Sequence, residues 1–156
     1  MVNGGLERIC KYVATGFGTG YVPKAPGTAG ALLGIPVGLL INMAPSTGAS
    51  FLILLLLIFL SCLSAHVTEA ACGEKDPQTV VIDEIAGMSM ALWLVPASVM
   101  NVVILFILFR LFDIYKPFPV KQMEEIFRGG AGIVFDDIMA GILANILFRL
   151  GGLLFS

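Results

Sequence analysis

A long apolar stretch at residues 50–71 constrains the fold more than any other part of the chain. At a rise of ~1.5 Å per residue, a helix of this length covers about 30 Å, which is the thickness of the hydrocarbon core of a bilayer. The polar sequence GEKDPQ follows the stretch almost at once. The sequence therefore predicts a helix that spans a membrane.

Four further stretches are apolar but shorter or interrupted by charge, namely residues 29–43, 80–94, 98–115 and 132–154. Pro36 and the short length of the first stretch predict a kinked span or a re-entrant segment. Apolar residues at helical spacing between Leu6 and Phe17 predict a short helix on the membrane surface. We expect an all-α, multi-pass membrane helical bundle of four to five embedded segments, forming a single domain over residues 1–156.

The composition supports a membrane protein and excludes other classes. Hydrophobic residues make up 58% of the chain, charged residues only 13%, and the mean hydropathy is +0.96, whereas soluble domains are about a quarter charged. A net charge of -2 leaves no general basic face for nucleic acid. The odd number of cysteines and the absence of a CxxC pair predict neither a disulfide framework nor a zinc site.

The distribution of basic residues predicts the orientation in the membrane. Five segments would place the N-terminal region and residues 73–79 and 116–130 on one side. That side carries Arg8, Lys11, Lys24, Lys75, Lys116, Lys121 and Arg128. The turns on the other side, residues 44–49 and 95–97, contain no lysine or arginine. The positive-inside rule makes the first side cytoplasmic.

Acidic residues lie inside or beside these apolar segments, where a carboxylate at the bilayer centre costs about 2.5 to 3.5 kcal/mol. Asp83-Glu84 begin the third segment, Asp113 ends the fourth and Asp136-Asp137 begin the fifth, so the topology gathers them at the cytoplasmic face. Helix capping explains acids at helix starts, and a bound cation would relieve their repulsion. We expect capping and metal binding to coexist for at least one residue.

The two acidic pairs lie in similar strings, VVIDEIAGM and IVFDDIMAG. Within each pair one carboxylate can face the bundle centre while the other reaches outward or to a loop. Gly87 and Gly141 would permit close helix approach beneath them. Carboxylates without a His/Cys cluster suit Mg²⁺ better than zinc.

Basic and glycine-rich elements accompany the acids. Lys24 lies in GFGTGYVPKAPGTAG, which offers a cation and backbone N–H groups for a phosphate but lacks the P-loop order. Arg110, Asp113 and Lys116 share one helical face. That face is either an interfacial charge ladder or a substrate contact.

Four ordered motifs cover the chain from Gly16 to about Ile146: GFGTGYVPKAPGTAG, KDPQTVVIDEIAGM, RLFDIYKPFPV and GGAGIVFDDIMAGILANI. Together they closely resemble the phosphatidylglycerophosphatase A family. The resemblance implies a Mg²⁺-dependent phosphatase of the bacterial inner membrane. Such an enzyme converts phosphatidylglycerophosphate to phosphatidylglycerol and phosphate, and no protein partner is implied.

The motifs carry the family's residues onto this sequence as Lys24, Pro26, Gly27, Thr28, Asp76, Asp83, Glu84, Asp113, Lys116, Pro117, Gly130, Gly132, Asp136 and Asp137. Ala31 departs from a serine that the family often has, which puts a hydroxyl role there in doubt.

We expect metal ligands among Asp76, Asp83, Glu84, Asp113, Asp136 and Asp137. We expect phosphate binding by Lys24, Gly27, Thr28, Arg110 and Lys116, and catalytic roles for Asp83, Asp137 and Lys24. A metal-activated water and an aspartyl-phosphate route both remain open. The alternative from another class is an ion-coupled transporter or channel subunit that uses the acids as a cation site.

Overall fold

The computed structural model describes residues 4–127 and 129–154, and all regular structure in them is helical. The order is α1 (Gly4–Ala14), a 3-10 helix (Gly16–Tyr21), α2 (Pro26–Asn42), α3 (Thr47–Cys72), α4 (Ile82–Leu92), α5 (Val99–Tyr115), α6 (Val120–Ile126) and α7 (Gly130–Leu154). The expectation of an all-α fold is confirmed. Phe17, expected in the first helix, instead has a φ of 57° in the 3-10 helix.

Helix α4 is the centre of the bundle and packs against α2, α3, α5 and α7. It has 11 residues, of which nine are buried, and it is about 16 Å long at ~1.5 Å per residue. The expected third segment, residues 80–94, is therefore too long. The backbone leaves the helical conformation at Trp93, and a helix this short cannot cross a bilayer core of ~30 Å.

Two of the described helices, α3 and α7, are long and apolar enough to cross a membrane by length and composition. Only 28% of an 18-residue apolar stretch of α3 is buried within the protein. Side chains such as Leu52 and Phe59 are 66% and 63% exposed. Helix α2 is apolar but has 17 residues, and it continues through Pro36 as one helix.

Glycines allow the helices around α4 to approach it closely. On α2, Cβ atoms added at Gly30 and Gly34 would lie 2.8 Å from the Cβ atoms of Val81 and Met88, respectively. On the other side, a Cβ at Gly87 would lie 2.7 Å from the carbonyl oxygen of Asp137. A Cβ at Gly141 would collide with the Gly87 carbonyl oxygen. The expected close approach at Gly87 and Gly141 is confirmed, and it sets α4 and α7 side by side.

Candidate active site

A polar cavity of about 460 Å³ lies at the N-terminal end of α4. The loop before α2, the first turn of α2, the loop before α4 and helices α4, α5 and α7 all contribute to its wall. The lining residues are Lys24, Ala25, Pro26, Gly27, Thr28, Asp76, Gln78, Val80, Asp83, Glu84, Arg110, Asp113, Ile114, Lys116, Ile133, Asp136 and Asp137.

Three carboxylates meet in this cavity. Asp83 and Glu84 lie in the first turn of α4, and Asp137 faces them from α7. One oxygen of each lies within 4.8 Å of an oxygen of the other two. Asp83 and Asp137 are only 7% and 4% exposed. Within the part of the chain that the structure describes, Asp83 Oδ1, Glu84 Oε2 and Asp137 Oδ2 are buried and have no hydrogen-bond donor.

Two further acids that line the cavity are paired with cations. Lys116 Nζ forms an ion pair with Asp136 Oδ2. Arg110 forms a second ion pair with Asp113, which lies three residues later on α5. Helix α5 ends in a left-handed residue, Lys116, with φ 43° and ψ 57°. This C-cap turns the chain so that Lys116 and Asp136 meet across the cavity. Each acid thus holds a cationic side chain at the cavity wall.

The first turn of α2 completes the wall. Pro26 occupies the start of the helix, and the N-cap residue Ala25 provides no side-chain cap. The first backbone N–H groups of a helix lack intrahelical partners, and here they belong to cavity residues. Gly27 lies directly against the Glu84 carboxylate, and an added Cβ would also lie 3.3 Å from Arg110 Nη1. A larger residue at this position would have to displace the Glu84 carboxylate.

The residues of the cavity fit a hard divalent cation. Three buried oxygens without donors converge from two helices, and a buried charge without a partner is costly. The described lining residues include no histidine or cysteine. Carboxylate oxygens suit Mg²⁺, Ca²⁺ or Mn²⁺ rather than zinc or copper. The cluster of Asp83, Glu84 and Asp137 is therefore a candidate metal site, the "carboxylate cluster" below.

Residues 12–151 match the family described as phosphatidylglycerophosphatase A. The chain belongs to this family. Its members include phosphatidylglycerophosphatase A of Escherichia coli, 36% identical over 141 residues, which cover 89% of this chain and 81% of that protein. Phosphatidylglycerophosphatase A of Haemophilus influenzae is 35% identical and covers 86% and 83%, respectively. The chain is thus a phosphoric monoester hydrolase by family.

A relative in Bacteroides thetaiotaomicron carries another substrate in its name. This protein, "Putative phosphatidylinositol-3-phosphatase", is 39% identical over 142 residues, covering 86% of this chain and 88% of its own. No solved structure matches the chain.

The structure brings every predicted site residue of this phosphatidylglycerophosphatase A family member to one cavity, and those residues are Lys24, Gly27, Thr28, Asp76, Asp83, Glu84, Arg110, Asp113, Lys116, Asp136 and Asp137. They differ in depth, because Lys24 and Asp76 are exposed at the rim while the α4 and α7 acids lie inside. The expected division within each pair is also seen. Glu84 reaches the start of α2, and Asp136 reaches Lys116.

Helix capping explains less than the sequence predicted. Helix α7 begins at Gly130, so Asp136-Asp137 lie in its second turn rather than at its start. The helix dipole acts within the first turn, so helix capping does not explain this pair. Asp83 and Glu84 do lie in the first turn of α4.

Sequence reasoning missed two features of the site. Gln78 lines the rim of the cavity. Its position in KDPQTVVIDE, between Asp76 and the acidic pair, could have identified it as a site residue. The glycines at positions 30, 34 and 38 repeat at four-residue spacing, which predicts close helix packing. That signal would have predicted a close-packed face on α2, and in the structure this face packs against α4.

Proposed function

We propose that the chain is a Mg²⁺-dependent lipid phosphatase that hydrolyses phosphatidylglycerophosphate to phosphatidylglycerol and phosphate. The observation that carries this proposal is the single cavity in which the carboxylate cluster meets three cationic side chains. Relatives named phosphatidylglycerophosphatase A support the choice of substrate. The transporter or channel alternative finds no support in the family.

The charge of the cavity supports the need for a metal. Six carboxylates and three cationic side chains line it, which is a formal excess of three negative charges. A phosphate group would be repelled from such a site, since like charges in a poorly solvated pocket repel strongly. A divalent cation on the carboxylate cluster would offset most of this excess.

Glu84 and either Asp83 or Asp137 would hold the metal, with Asp76, Asp113 and Asp136 as the further predicted ligands. Bound Mg²⁺ would polarise the phosphate and make a coordinated water more acidic. Asp113 and Asp136 already hold cations in ion pairs. We therefore propose that their main contribution is to position Arg110 and Lys116.

The cationic side chains would bind the phosphate oxygens. Lys116 and Arg110 reach the cavity from α5, and Lys24 lies at its rim. Gly27 and Thr28 would contribute backbone N–H groups at the start of α2. Fixed cations and N–H groups stabilise the charge that develops on a phosphoryl group in the transition state. Arg110 and Lys116 are held in place by their ion pairs before the substrate arrives.

Asp83 or Asp137, whichever is not engaged by metal, would act on the phosphorus or on water. As a base, it takes a proton from water while the water oxygen attacks phosphorus, the ester P–O bond breaks, and the departing glycerol oxygen takes a proton from solvent. As a nucleophile, its oxygen attacks phosphorus directly, and water then cleaves the aspartyl-phosphate and restores the carboxylate.

We also propose that four to five segments of a single domain, residues 1–156, lie in a bacterial cytoplasmic membrane with the cavity on the cytoplasmic face. Exposed aromatic residues near this end support an interfacial position. They are Tyr12, Phe17, Tyr21, Tyr115 and Phe118. Exposed Leu6 and Ile9 on α1 suit a helix on the membrane surface.

The deciding experiment measures phosphate release from phosphatidylglycerophosphate by the purified protein in mixed micelles. We expect release that EDTA abolishes and added Mg²⁺ restores. Release that survives EDTA contradicts the metal requirement, and no release contradicts the proposed reaction. Phosphatidylinositol 3-phosphate is assayed in parallel because of the Bacteroides relative's name, and a higher kcat/KM on it would change the substrate.

The orientation is tested with Cys72, which is exposed at the end of α3. A membrane-impermeant maleimide should label it in inside-out vesicles and not in intact spheroplasts. A Cys72→Ser variant controls for labelling of Cys10 and Cys62. Labelling in spheroplasts would reverse the proposed topology.

A further inference from the structure

The cationic side chains that line the cavity differ in how they are held. Arg110 and Lys116 each form an ion pair with a carboxylate of the cavity, and their side chains are 18% and 30% exposed, respectively. Lys24 is exposed, and no ion-pair partner is found for it in the described part of the chain. Two of the cations are therefore already paired with carboxylates, whereas Lys24 can pair with an anion from outside.

The two paired cations lie next to the carboxylate cluster. A Cβ added at Gly27 would lie against the Glu84 carboxylate and 3.3 Å from Arg110 Nη1, so these two charged groups flank the same point. Lys116 is paired with Asp136, whose neighbour in the chain belongs to the cluster. A phosphate bound at the cluster would therefore meet Arg110 and Lys116 first.

Lys24 lies in the loop before α2, which carries exposed apolar residues. Tyr21 and Val22 precede it in this loop and are both exposed, and tyrosine is typical of the membrane interface. The other loop at the rim, residues 73–76, has the sequence GEKD and is exposed throughout. A lysine at an interface extends its ammonium group to the lipid headgroups while its stem stays among apolar groups. Lys24 is therefore suited to the part of a headgroup that lies nearest the membrane.

The proposed substrate, phosphatidylglycerophosphate, carries two phosphates. The terminal phosphate is a monoester and is the group that is released. The other is a phosphodiester that joins the glycerol headgroup to the diacylglycerol, so it lies on the membrane side of the terminal phosphate. When the monoester is bound at the carboxylate cluster, the phosphodiester must lie farther out, toward the rim. Lys24 is the cavity cation that remains for it.

We propose that Lys24 binds the phosphodiester of the substrate and not the phosphate that is cleaved, so that the cavity recognises lipids with two phosphates. This inference rests on the proposed lipid phosphatase function and replaces the expected catalytic role of Lys24 with a role in specificity. Phosphatidic acid has a single phosphate. It would lose the contact with Lys24 when that phosphate reaches the carboxylate cluster.

The two products of the proposed reaction separate the two phosphate positions. Phosphatidylglycerol keeps the phosphodiester, and inorganic phosphate corresponds to the terminal group. The inhibition constant of each product is measured in mixed micelles, with phosphatidylglycerophosphate that is radiolabelled in its terminal phosphate.

We expect Lys24→Met to raise the inhibition constant of dioleoyl phosphatidylglycerol about 10-fold, as for the loss of one hydrogen bond between charged groups. The inhibition constant of inorganic phosphate should not change. The KM for phosphatidylglycerophosphate should rise by a similar factor, with a smaller effect on kcat. Lys116→Met should show the reverse pattern, because Lys116 lies beside the carboxylate cluster.

The matched control is Lys11→Met, because Lys11 is an exposed lysine of α1 that is not among the described lining residues. Both inhibition constants should be unchanged in this variant. Lys24→Arg keeps the positive charge and should keep the inhibition by phosphatidylglycerol. Thermal unfolding in detergent checks that each variant is folded.

Three results for Lys24→Met would overturn the proposal: equal increases of the two inhibition constants, an increase for inorganic phosphate alone, or no change in either. The same increase for phosphatidylglycerol in Lys11→Met would also overturn it, since the effect would then be one of general charge. If the unsubstituted protein releases no phosphate from phosphatidylglycerophosphate, the proposed function itself is wrong.

Discussion

Polar side chains surround both ends of α4. Those at the C-terminal end form hydrogen bonds, whereas those at the N-terminal end leave oxygens without a donor. At the C-terminal end, side chains of α2 and α7 donate to the last carbonyls of the helix and its following turn. Asn42 Nδ2 donates to the Leu92 carbonyl at 2.8 Å, and Asn145 Nδ2 donates to the Ala91 and Trp93 carbonyls at 2.8 and 2.9 Å. Arg149 Nη2 adds a bond of 2.8 Å to the Leu94 carbonyl.

At the N-terminal end, the polar groups are carboxylates that face each other. Asp83, Glu84 and Asp137 each keep a buried oxygen without a donor among the described residues. Buried polar groups, including the backbone groups at helix ends, normally have hydrogen-bond partners. The C-terminal end follows that rule and stabilises the fold. The N-terminal end breaks it at the candidate metal site, which indicates that a ligand completes it.

The largest expected effect comes from removing the charge at the N-terminal end. We expect Asp83→Asn and Asp137→Asn to lower phosphate release on the order of 1,000-fold, because each variant weakens metal binding and removes a candidate base. Without added metal, the Tm should stay the same or rise, since repulsion among the acids falls. Phosphate assays and thermal unfolding in detergent measure both effects.

The matched control for these variants is Glu7→Gln on the exposed surface of α1. Added Mg²⁺ should raise the Tm of the unsubstituted protein and of Glu7→Gln, because a ligand that binds only the folded state stabilises it. The rise should be smaller in Asp137→Asn. An equal rise in all three proteins would place the metal elsewhere.

A smaller loss is expected for Lys116→Met, about 100-fold in phosphate release. This substitution removes a cation from the phosphate site and leaves Asp136 without its ion-pair partner. Lys121→Met, at an exposed position of α6, controls for a general loss of positive charge. Similar activity of the two variants would show that Lys116 has no role in the reaction.

The next effect tests the contact between α2 and the carboxylate cluster. A Gly27→Ala methyl group would displace the Glu84 carboxylate, and we expect about a 10-fold loss of kcat, since small misplacements of catalytic groups are costly. In Gly48→Ala the nearest atom is 4.0 Å away, so this control should keep full activity. Full activity in Gly27→Ala would mean that Glu84 can move without consequence.

The sequence predicted the residues of the cavity better than the shape of the bundle. Charges in apolar segments are conspicuous, and the four motifs led to the cavity residues directly. Residues 80–94 were predicted to be a full segment because lipid and protein interior are equally apolar. Hydropathy therefore cannot distinguish a spanning helix from the short, buried helix α4.

The position of Asp136 and Asp137 beyond the first turn of α7 was missed for a related reason. Gly130, Ala131 and Gly132 weaken the helical signal at the start of α7, since glycine is a poor helix former. In the structure the helix begins at Gly130, where an added Cβ would collide with the backbone of His66 on α3. The helix thus begins two residues before the expected segment, at a glycine that packs closely against α3.

The smallest effect on activity is expected at the C-terminal end of α4. Asn145→Leu removes the hydrogen bonds that Asn145 Nδ2 donates to the Ala91 and Trp93 carbonyls, and it removes the acceptor for Arg149 Nε. At about 0.6 kcal/mol for each hydrogen bond in a membrane bundle, the loss of stability is about 2 kcal/mol.

Asn101→Leu is the control, because the Asn101 side chain donates one bond, to the Pro96 carbonyl. This variant should lose about a third as much stability. Specific activity of folded Asn145→Leu should be unchanged in the phosphate assay, because the carboxylate cluster lies at the other end of α4. A loss of activity without a loss of stability would instead show that the C-terminal end of α4 also contributes to catalysis.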